Sequence, residues 1–447
     1  MNLYSRSVAA VEAGSPPVRV GLIGAGKFGS MFLAQVPTTP GLKVVAIADL
    51  SADRARAACK GVGWNDDLIA DTRFTQDAME MIAAADVDVV VEATGHPAAG
   101  IRHARAAIAA RKHIVMVNVE ADVLAGPLLA RRAEEAGVVY SLAYGDQPAL
   151  ICEMVDWARA CGFEVVAAGK GTKYLPVFHT STPETVWHYR GVNPEDARKG
   201  GMNAQMFNSF IDGTKSGIEM AAVANATGLE PAPDGLRFPP AAADKLAQVL
   251  CEKNLHHRGQ VEVVSSVERD GSTVANNLRW GVYVVFSAPN AYTERCFREY
   301  GVESDETGTL AALYRPFHLI GLELNVSIFS AALRNEATGR PNGFVADVVA
   351  TAKRDIEPGE MLDGEGGYLV WGKLMPARDS LAIGGLPIGL AHNIRVTRPV
   401  AAGASLTWAD VEIDRNDAYA FRKEMEKAFA GTVPLSHHTA SIKPEST

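Results

Sequence analysis

The sequence predicts an α/β architecture: a Rossmann-type parallel sheet domain, then an α+β domain, then a small β-rich module. Three observations predict it. An apolar run from Val18 ends in Gly24-x-Gly26-x-x-Gly29 and opens a helix-like stretch through Met31, Phe32 and Leu33. A second apolar run, residues 44–48, ends in Asp49. Strand-like and helix-like segments then alternate as far as Leu142. Such alternation implies right-handed crossovers and parallel pairing.

Each element has its own warrant. Gly24 permits a tight turn out of the first strand, and Gly26, with Lys27 and Phe28, lets backbone N–H groups approach a pyrophosphate. Gly29 lets the helix pack on the strand, and the helix N-terminus favours the negative charge. Asp49 stands at the spacing of a ribose-binding acid. The Ala/Arg-rich stretch 52–59 and residues 77–85 read as helices. Residues 87–93 read as a buried strand ending in Thr94-Gly95-His96-Pro97. A helix over 100–111 leads into the strand His113–Asn118, and a helix over 127–136 precedes the strand 138–142. Ligands bind beyond the carboxyl ends of such strands. One crevice is therefore expected between Gly24–Gly29, Asp49, Thr94–Pro97, Asn118–Asp122 and Gly145–Pro148. The expected dinucleotide contacts are Gly24, Gly26, Lys27, Phe28, Gly29, Asp49, Thr94, Gly95 and Asn118. Asp49 favours a free ribose hydroxyl and hence NAD, while Arg54 and Arg56 suit a 2′-phosphate.

The chain has 447 residues, enough for two or three domains. Hydrophobic residues make up 47% and charged residues 21%, as in ordinary globular proteins. A net charge of −9 argues against broad nucleic-acid binding, though a local basic pocket could still hold a phosphate. No apolar stretch approaches the length of a membrane span, and residues 1–17 lack the apolar core of a signal peptide. The five cysteines are scattered, with no C-x-x-C pair. They suggest neither a disulfide framework nor a zinc knuckle, and a reduced, cytoplasmic setting is expected. The expected units are 16–160 (dinucleotide binding), 161–345 (α+β), 346–432 (β-rich) and a disordered tail, 433–447.

After residue 163 the alternation stops. Residues 163–169 read as a strand running into a basic loop, Lys170-Gly-Thr-Lys173. A polar loop over 176–201 leads to one long helix, 203–227, and a proline-rich break over 231–240. Residues 261–267 and 280–287 read as strands. In the last hundred residues or so, Val349–Asp363 is echoed by Ile394–Thr407: strand, basic residue, glycine turn, then Leu with a polar follower.

On the long helix, at about 100° per residue, Asn208, Asp212, Lys215, Ser216 and Glu219 share one face. One reading is a solvated face with an Asp212–Lys215 surface pair. The other is a cleft lining. A carbonyl being reduced needs a proton donor and a cation near its oxygen, and carboxylates can hold hydroxyls or a metal. Gly213 and Gly217 cost helix stability that a solvated face would not require. Lys170 and Lys173 suit a phosphate or carboxylate, or else form a solvated turn. In Tyr314-Arg-Pro-Phe-His318, Arg315 could clamp an anion, and His318 is either a ligand contact or a hydrogen-bonded core histidine. Asp146, beyond a strand end, is a substrate- or metal-binding candidate or a turn-initiating residue. Glu120 and Asp122 cannot share a helical face, so only one of them should point at the site.

Several of these motifs carry a resemblance. His113–Asn118 and Lys215-Ser-Gly-Ile218 are similar to a strand and a catalytic-lysine helix of homoserine dehydrogenases. Two departures stand out: Val119 and Glu120 follow Asn118 where that family has a lysine, and Ile211 occupies its aspartate position, with Asp212 adjacent. The Glu-Lys-Pro motif of glucose–fructose oxidoreductases is absent. The two echoed C-terminal arms resemble a SAF domain. Over nearly its full length the chain resembles deoxyxylulose-phosphate-reductoisomerase-like oxidoreductases. That resemblance rests on Gly24–Gly29, Gly145–Pro148, Gly169–Lys173, Asp212–Ser216, Tyr314–His318 and Lys353–Gly359.

It implies NADPH-dependent conversion of 1-deoxy-D-xylulose 5-phosphate, or a related polyol phosphate, to 2-C-methyl-D-erythritol 4-phosphate in isoprenoid biosynthesis. NADP is implied over NAD, usually with Mg²⁺ or Mn²⁺, and homodimers are expected by analogy. Lys215, Asp212 and Glu219 would be catalytic. Asp146, Lys170, Lys173, Arg315 and His318 would bind substrate, and Asp146, Glu120 and Glu219 are the metal candidates. The rivals are a homoserine-dehydrogenase-like simple dehydrogenase of a small hydroxy or amino acid, and a non-catalytic NAD(P)-binding sensor.

Overall fold

The computed structural model describes residues 2–199 and 202–431; the expected tail, 433–447, lies outside the described residues. The first region runs α1 (Leu3–Glu12), β1 (Val18–Ile23), α2 (Lys27–Gln35), β2 (Leu42–Ala48), α3 (Ala52–Gly61), α4 (Asp66–Ala70), β3 (Arg73–Thr75) and α5 (Ala78–Ala83). It continues through β4 (Val89–Glu92), α6 (Pro97–Ala109), β5 (His113–Met116), α7 (Val119–Glu135) and β6 (Tyr140–Leu142). The six strands form one parallel sheet in the order β3-β2-β1-β4-β5-β6. The order reverses between β1 and β4, which places the ligand crevice at their carboxyl ends. β1 and β4 are apolar at nearly every position because helices cover both faces of the sheet.

α7 differs from expectation. It starts at Val119, not near Pro127, because the Asn118 side chain caps it by accepting the Ala121 N–H. Pro127 therefore lies inside a 17-residue helix.

The second region contains α8 (Gln147–Ala160), β7 (Glu164–Thr172), α9 (Val186–Arg190), α10 (Pro194–Lys199), α11 (Ala204–Ile211), α12 (Thr214–Thr227), β8 (Glu230–Pro231) and α13 (Leu246–Val249). It ends with β9 (Gln260–Ser265), β10 (Val282–Ser287), α14 (Ala291–Glu299), β11 (Leu310–Arg315) and α15 (Asn325–Arg334). Its mixed sheet has the order β11-β10-β7-β9-β8.

Two expectations fail here. The basic loop is not a loop: Lys170, Gly171 and Thr172 continue the central strand β7. Gly169 and Gly171 are needed there for close approach, since a Cβ on Gly171 would stand 1.9 Å from the Leu278 carbonyl oxygen. The single helix over 203–227 is in fact two, α11 and α12, broken at Asp212–Gly213, where Gly213 has φ +93°. A non-glycine residue adopts that conformation only under strain.

The third region is β12 (Ala346–Ala352), β13 (Met361–Asp363), β14 (Val370–Pro376), α16 (Ala377–Ile383), β15 (His392–Arg395) and α17 (Asp417–Phe429). β12 pairs with β14, and β13 with β15, both antiparallel. The two echoed arms meet at bridges between Thr351 and Ser405 and between Ile356 and Val400.

These regions are not beads on a string. α15 returns to the first sheet, burying Ile328 and Phe329 with Val91 and Val115. Phe421 and Met425 of α17 pack with Ile108 and Leu128 of the first region. Buried Arg422 pairs with Asp347 on β12. The largest apolar core joins α8, α12 and the second sheet to β12, β14 and their loops. α12 thus lies between all three regions.

Candidate active site

The dinucleotide crevice is built as its residues dictate. Gly26 is the N-cap of α2 and has open space where a Cβ would sit. A Cβ on Gly29 would meet the Gly24 carbonyl oxygen at 2.4 Å, so helix and strand approach closely only without one. The first N–H groups of α2 have no acceptor within their helix, as a bound pyrophosphate requires. Asp49 is buried and organises the turn: its carboxylate accepts the Ala25 N–H (2.9 Å), the Ser51 N–H (3.0 Å) and the Arg54 guanidinium (2.5 Å). Arg56 leans toward Asp53 and Phe74 instead. At the next strand ends, Asn118 Nδ2 donates to His96 O at 3.1 Å and Thr94 Oγ1 at 3.3 Å. Asn118 is itself buried, so it sets the spacing of the Thr94–Gly95 loop.

The charged cluster lies beside this crevice, where α7, α12 and two loops converge. Lys215, in the first turn of α12, donates to Glu120 Oε1 in the first turn of α7 at 2.5 Å. One turn on, Glu219 is bonded to Lys170 of β7, and both side chains are buried. Asp146 caps α8 by accepting the Gln147 N–H at 2.9 Å. Glu365 arrives on the loop between β13 and β14 and accepts from Ser209 Oγ. As the helical spacing required, Glu120 turns toward the site, while Asp122 is buried against the Tyr140 hydroxyl.

The electrostatics follow from burial. Burial first, and the Glu219 charge second, push the Asp146 carboxyl up to about 6. Burial and the Glu120 charge push Glu365 up to about 7, against the pull of Lys215 and the Ser209 hydrogen bond. For Lys215, burial alone disfavours the ammonium, but Glu120, Glu219, Glu365 and Asp146 together hold it above the ordinary lysine range. The cluster is a protonated ammonium ringed by carboxyl groups, two of which change charge near neutral pH. Among the described residues Lys215 makes one hydrogen bond, to Glu120, so two of its three N–H donors remain for a ligand oxygen.

Other expected residues are placed differently. Asp212 does not pair with Lys215, on the surface or elsewhere. It is buried and bonded to Lys353 Nζ at 2.8 Å. Lys353 gives its remaining donors to Ser181 O and Gly367 O, each at 2.7 Å. Asn208 is likewise consumed by Ser181 and Gly366. The shared wheel face is split because the chain breaks at Gly213. Its first half, Asn208 and Asp212, holds the C-terminal loop, and its second half, Lys215 and Glu219, faces the site.

Lys170 and Lys173 do not converge. Lys170 is neutralised by Glu219, and Lys173 donates to Tyr189 O at 2.7 Å. Arg315 is paired with Glu323 at 2.5 Å. His318 Nδ1 contacts Trp280 O at 2.7 Å, and its charge reaches Asp146. The metal candidates Asp146, Glu120 and Glu219 cap a helix or hold a lysine. Among the described residues no three His, Cys, Asp or Glu side chains group as a metal site.

Glu365 and Lys353 entered no sequence-based set of site residues. The signal for Glu365 was present, in an acid set in Gly364-Glu-Gly-Gly367. Gly364 and Gly366 adopt φ of +74° and +68° to make the loop. No helix among the described residues is long and apolar enough to cross a membrane.

Residues 24–142 match the family model for the NAD-binding domain of homoserine dehydrogenase, and residues 145–324 match that for the catalytic domain of the oxidoreductase DRL. A curated relative, inositol 2-dehydrogenase 2 of Paenarthrobacter aurescens, is 42% identical over 79 residues, 17% of this chain and 21% of its own length. The chain thus spans about a fifth of that relative. Among solved structures, one described as a probable dehydrogenase from Thermotoga maritima covers 68% of this chain and 69% of its own, at 15% identity and a TM-score of 0.31. GenD2 from gentamicin A biosynthesis, solved with NAD, covers 39% of this chain and 51% of its own, at 19% identity and a TM-score of 0.27. Likenesses at that level say nothing about activity. Two adjoining regions are thus similar to known domains, the first to the NAD-binding domain of homoserine dehydrogenase and the second to the catalytic domain of the oxidoreductase DRL.

Proposed function

We propose that the protein reduces the carbonyl of a small phosphorylated polyol, or oxidises the corresponding alcohol, at Lys215. The observation that carries this reading is the pair of unused Lys215 donors in a partly buried site beside the dinucleotide crevice. The Gly24–Gly29 turn, the α2 N-terminus and Asp49 with Arg54 would hold the cofactor, which when bound supplies the hydride. NADP is favoured over NAD because Arg54 already covers one Asp49 oxygen. In the reducing direction negative charge develops on the substrate oxygen. The Lys215 ammonium stabilises that charge and delivers a proton to the oxygen. Glu365, with a carboxyl pushed up to about 7, can hold a proton to replace it. Lys170 keeps Glu219 in place, and the C-terminal module, read as SAF-like, brings Glu365 to the site. Homodimers and a cytoplasmic location belong to the same reading.

The finer reading is conversion of 1-deoxy-D-xylulose 5-phosphate to 2-C-methyl-D-erythritol 4-phosphate, supported by the motif resemblance. A second reading, a simple dehydrogenase, is favoured by one observation: Glu120 and Glu219 beside Lys215 are each paired with a lysine, and among the described residues no three acidic, His or Cys side chains group as a cation site. NADPH oxidation with 1-deoxy-D-xylulose 5-phosphate, with Mg²⁺ or Mn²⁺ and again with EDTA, separates them. Metal-dependent turnover supports the finer reading. Turnover of other carbonyl substrates that survives EDTA supports the simple dehydrogenase. Cofactor binding without hydride transfer across sugar phosphates and hydroxy acids leaves a sensor and overturns both.

A further inference from the structure

Of the three cations expected to hold a substrate phosphate, Lys170 and Arg315 are neutralised by carboxylates. The third, Lys173, has company that the sequence did not announce. Contacts from the end of β7 and from Lys173 itself bring Arg279 and Arg190 to it. The Gly171 N–H donates to Gly281 O at 3.0 Å, and Gly171 lies against the Leu278 carbonyl, which pins the 278–281 turn beside the end of β7. Lys173 Nζ donates to Tyr189 O at 2.7 Å, which pins the end of α9. Lys173, Arg190 and Arg279 thus meet from three separate elements.

Their charges are uncompensated. Among the described residues none of the three forms an ion pair. Lys173 is pushed below the ordinary lysine range by burial, then by Arg279 and Arg190; Arg190 is lowered by burial, then by Arg279. Among the described residues no carboxylate offsets any of the three. Each charge is held over an aromatic ring: Arg279 over Trp280 (4.8 Å), Arg190 over Phe207 (4.6 Å) and Lys173 over Phe178 (5.9 Å). Ring contacts position a cation without cancelling it. This occurs in a chain with 52 acidic and 43 basic residues, where partners are plentiful. Two guanidinium forks and one ammonium match the oxygens of a phosphate monoester.

The cluster borders the site. The carbonyl of Trp280, next to Arg279, accepts a hydrogen bond from His318 Nδ1, and the His318 charge reaches Asp146. Lys170, three residues before Lys173, holds Glu219. We propose that Lys173, Arg190 and Arg279 form an anion subsite that takes the phosphate group of the substrate reacting at Lys215. The inference rests on the reductase reading only for the rest of that substrate.

The test titrates inorganic phosphate by calorimetry into protein saturated with NADPH, so that the dinucleotide crevice is filled. Parent, R190Q/R279Q and K215M proteins are compared at fixed ionic strength. R190Q/R279Q is expected to bind phosphate roughly 10- to 100-fold more weakly, to keep NADPH affinity and its melting temperature, and K215M to bind phosphate as the parent does. Equal phosphate binding by parent and R190Q/R279Q overturns the subsite, as does no binding by the parent. K173M, which leaves both arginines, checks the result should R190Q/R279Q fold poorly, with a smaller loss expected; unchanged binding in K173M then overturns it. Failure of the reductase reading shows separately, as absent NADPH oxidation with every carbonyl substrate while phosphate binding stands.

Discussion

Two lysines, Lys353 buried and Lys215 partly buried, lie on either side of the α11–α12 break, and they differ in how many donors they spend. Lys353 spends all three N–H donors, on Asp212, Ser181 O and Gly367 O. Lys215 spends one, on Glu120. Both are ammonium groups among carboxylates, yet a saturated ammonium has nothing left to offer a ligand. The difference teaches that counting unused donors, rather than noting burial or charge, separates a lysine that holds the fold from one that can meet a substrate. Lys353 fastens the C-terminal module to the corner before α12, and Lys215 opens onto the crevice one residue beyond that corner's first helical position.

The largest expected effect comes from removing the unsaturated lysine. Lys215→Met should lower kcat for carbonyl reduction by about 10²- to 10⁴-fold, the range of a lost general acid. Cofactor binding, followed by NADPH fluorescence, should persist. Turnover within twofold of the parent would break the comparison at its functional end.

Lys353→Met tests the other end. It strands Asp212 without a counter-charge in a fully buried position. Loss of one partner of a buried pair costs about 3–5 kcal/mol, read by urea unfolding. The fraction that stays folded should retain turnover within a few-fold. Normal stability with abolished turnover would reverse the two assignments.

A smaller effect is expected from Glu365, which shares the Lys215 environment. Its carboxyl is raised from 4.5 to about 7, so the folded state binds the proton more tightly than the unfolded chain. Stability therefore falls as pH rises from the unfolded value through about 7, and the full cost is present above it. Glu365→Gln removes the titration. It should match the parent near pH 4 and exceed it at pH 8 by no more than about 3 kcal/mol, at 1.36 kcal/mol per pKa unit. A parent whose stability is flat across that interval would show Glu365 to be well solvated.

Much of this arrangement was legible beforehand, and the reason is local. Gly24–Gly29, Asp49 and the alternation through Leu142 are short-range patterns, each enforced by one strand–turn–helix unit. They specify the six-strand sheet and its crevice. Lys215, Glu219 and Asp146 were also marked out, because unusual residues stood at strand ends or on a costly glycine-containing helix. What could not be read was partnership. The partners of Lys215, Asp212 and Lys170 lie 95, 141 and 49 residues away. A helical wheel assumes that the helix runs on, so it joined Asp212 to Lys215 across a break that only tertiary packing reveals. A different reason put Lys170 and Lys173 in one loop: the apolar pattern of the strand stops at Gly169, whereas β7 runs on through Thr172 and carries Lys170.

The smallest effect tests that break directly. Gly213 has φ +93°, and a Cβ there would lie 3.0 Å from His179 Cε1. Gly213→Ala should cost about 1–3 kcal/mol, from the left-handed conformation and the contact together. Gly217, four residues on, lies within α12 and faces Gly372 O at 3.0 Å from its would-be Cβ. Gly217→Ala meets crowding, but its helix position gains about 1 kcal/mol from alanine, so its net cost should be smaller. If the corner fixes Lys215 relative to Lys353, Gly213→Ala should also lower kcat, whereas Gly217→Ala should act mainly on stability. Equal losses of stability with unchanged kcat in both variants would mean that the Lys215 donors are aimed by Glu120 alone and that the two lysines are mechanically independent.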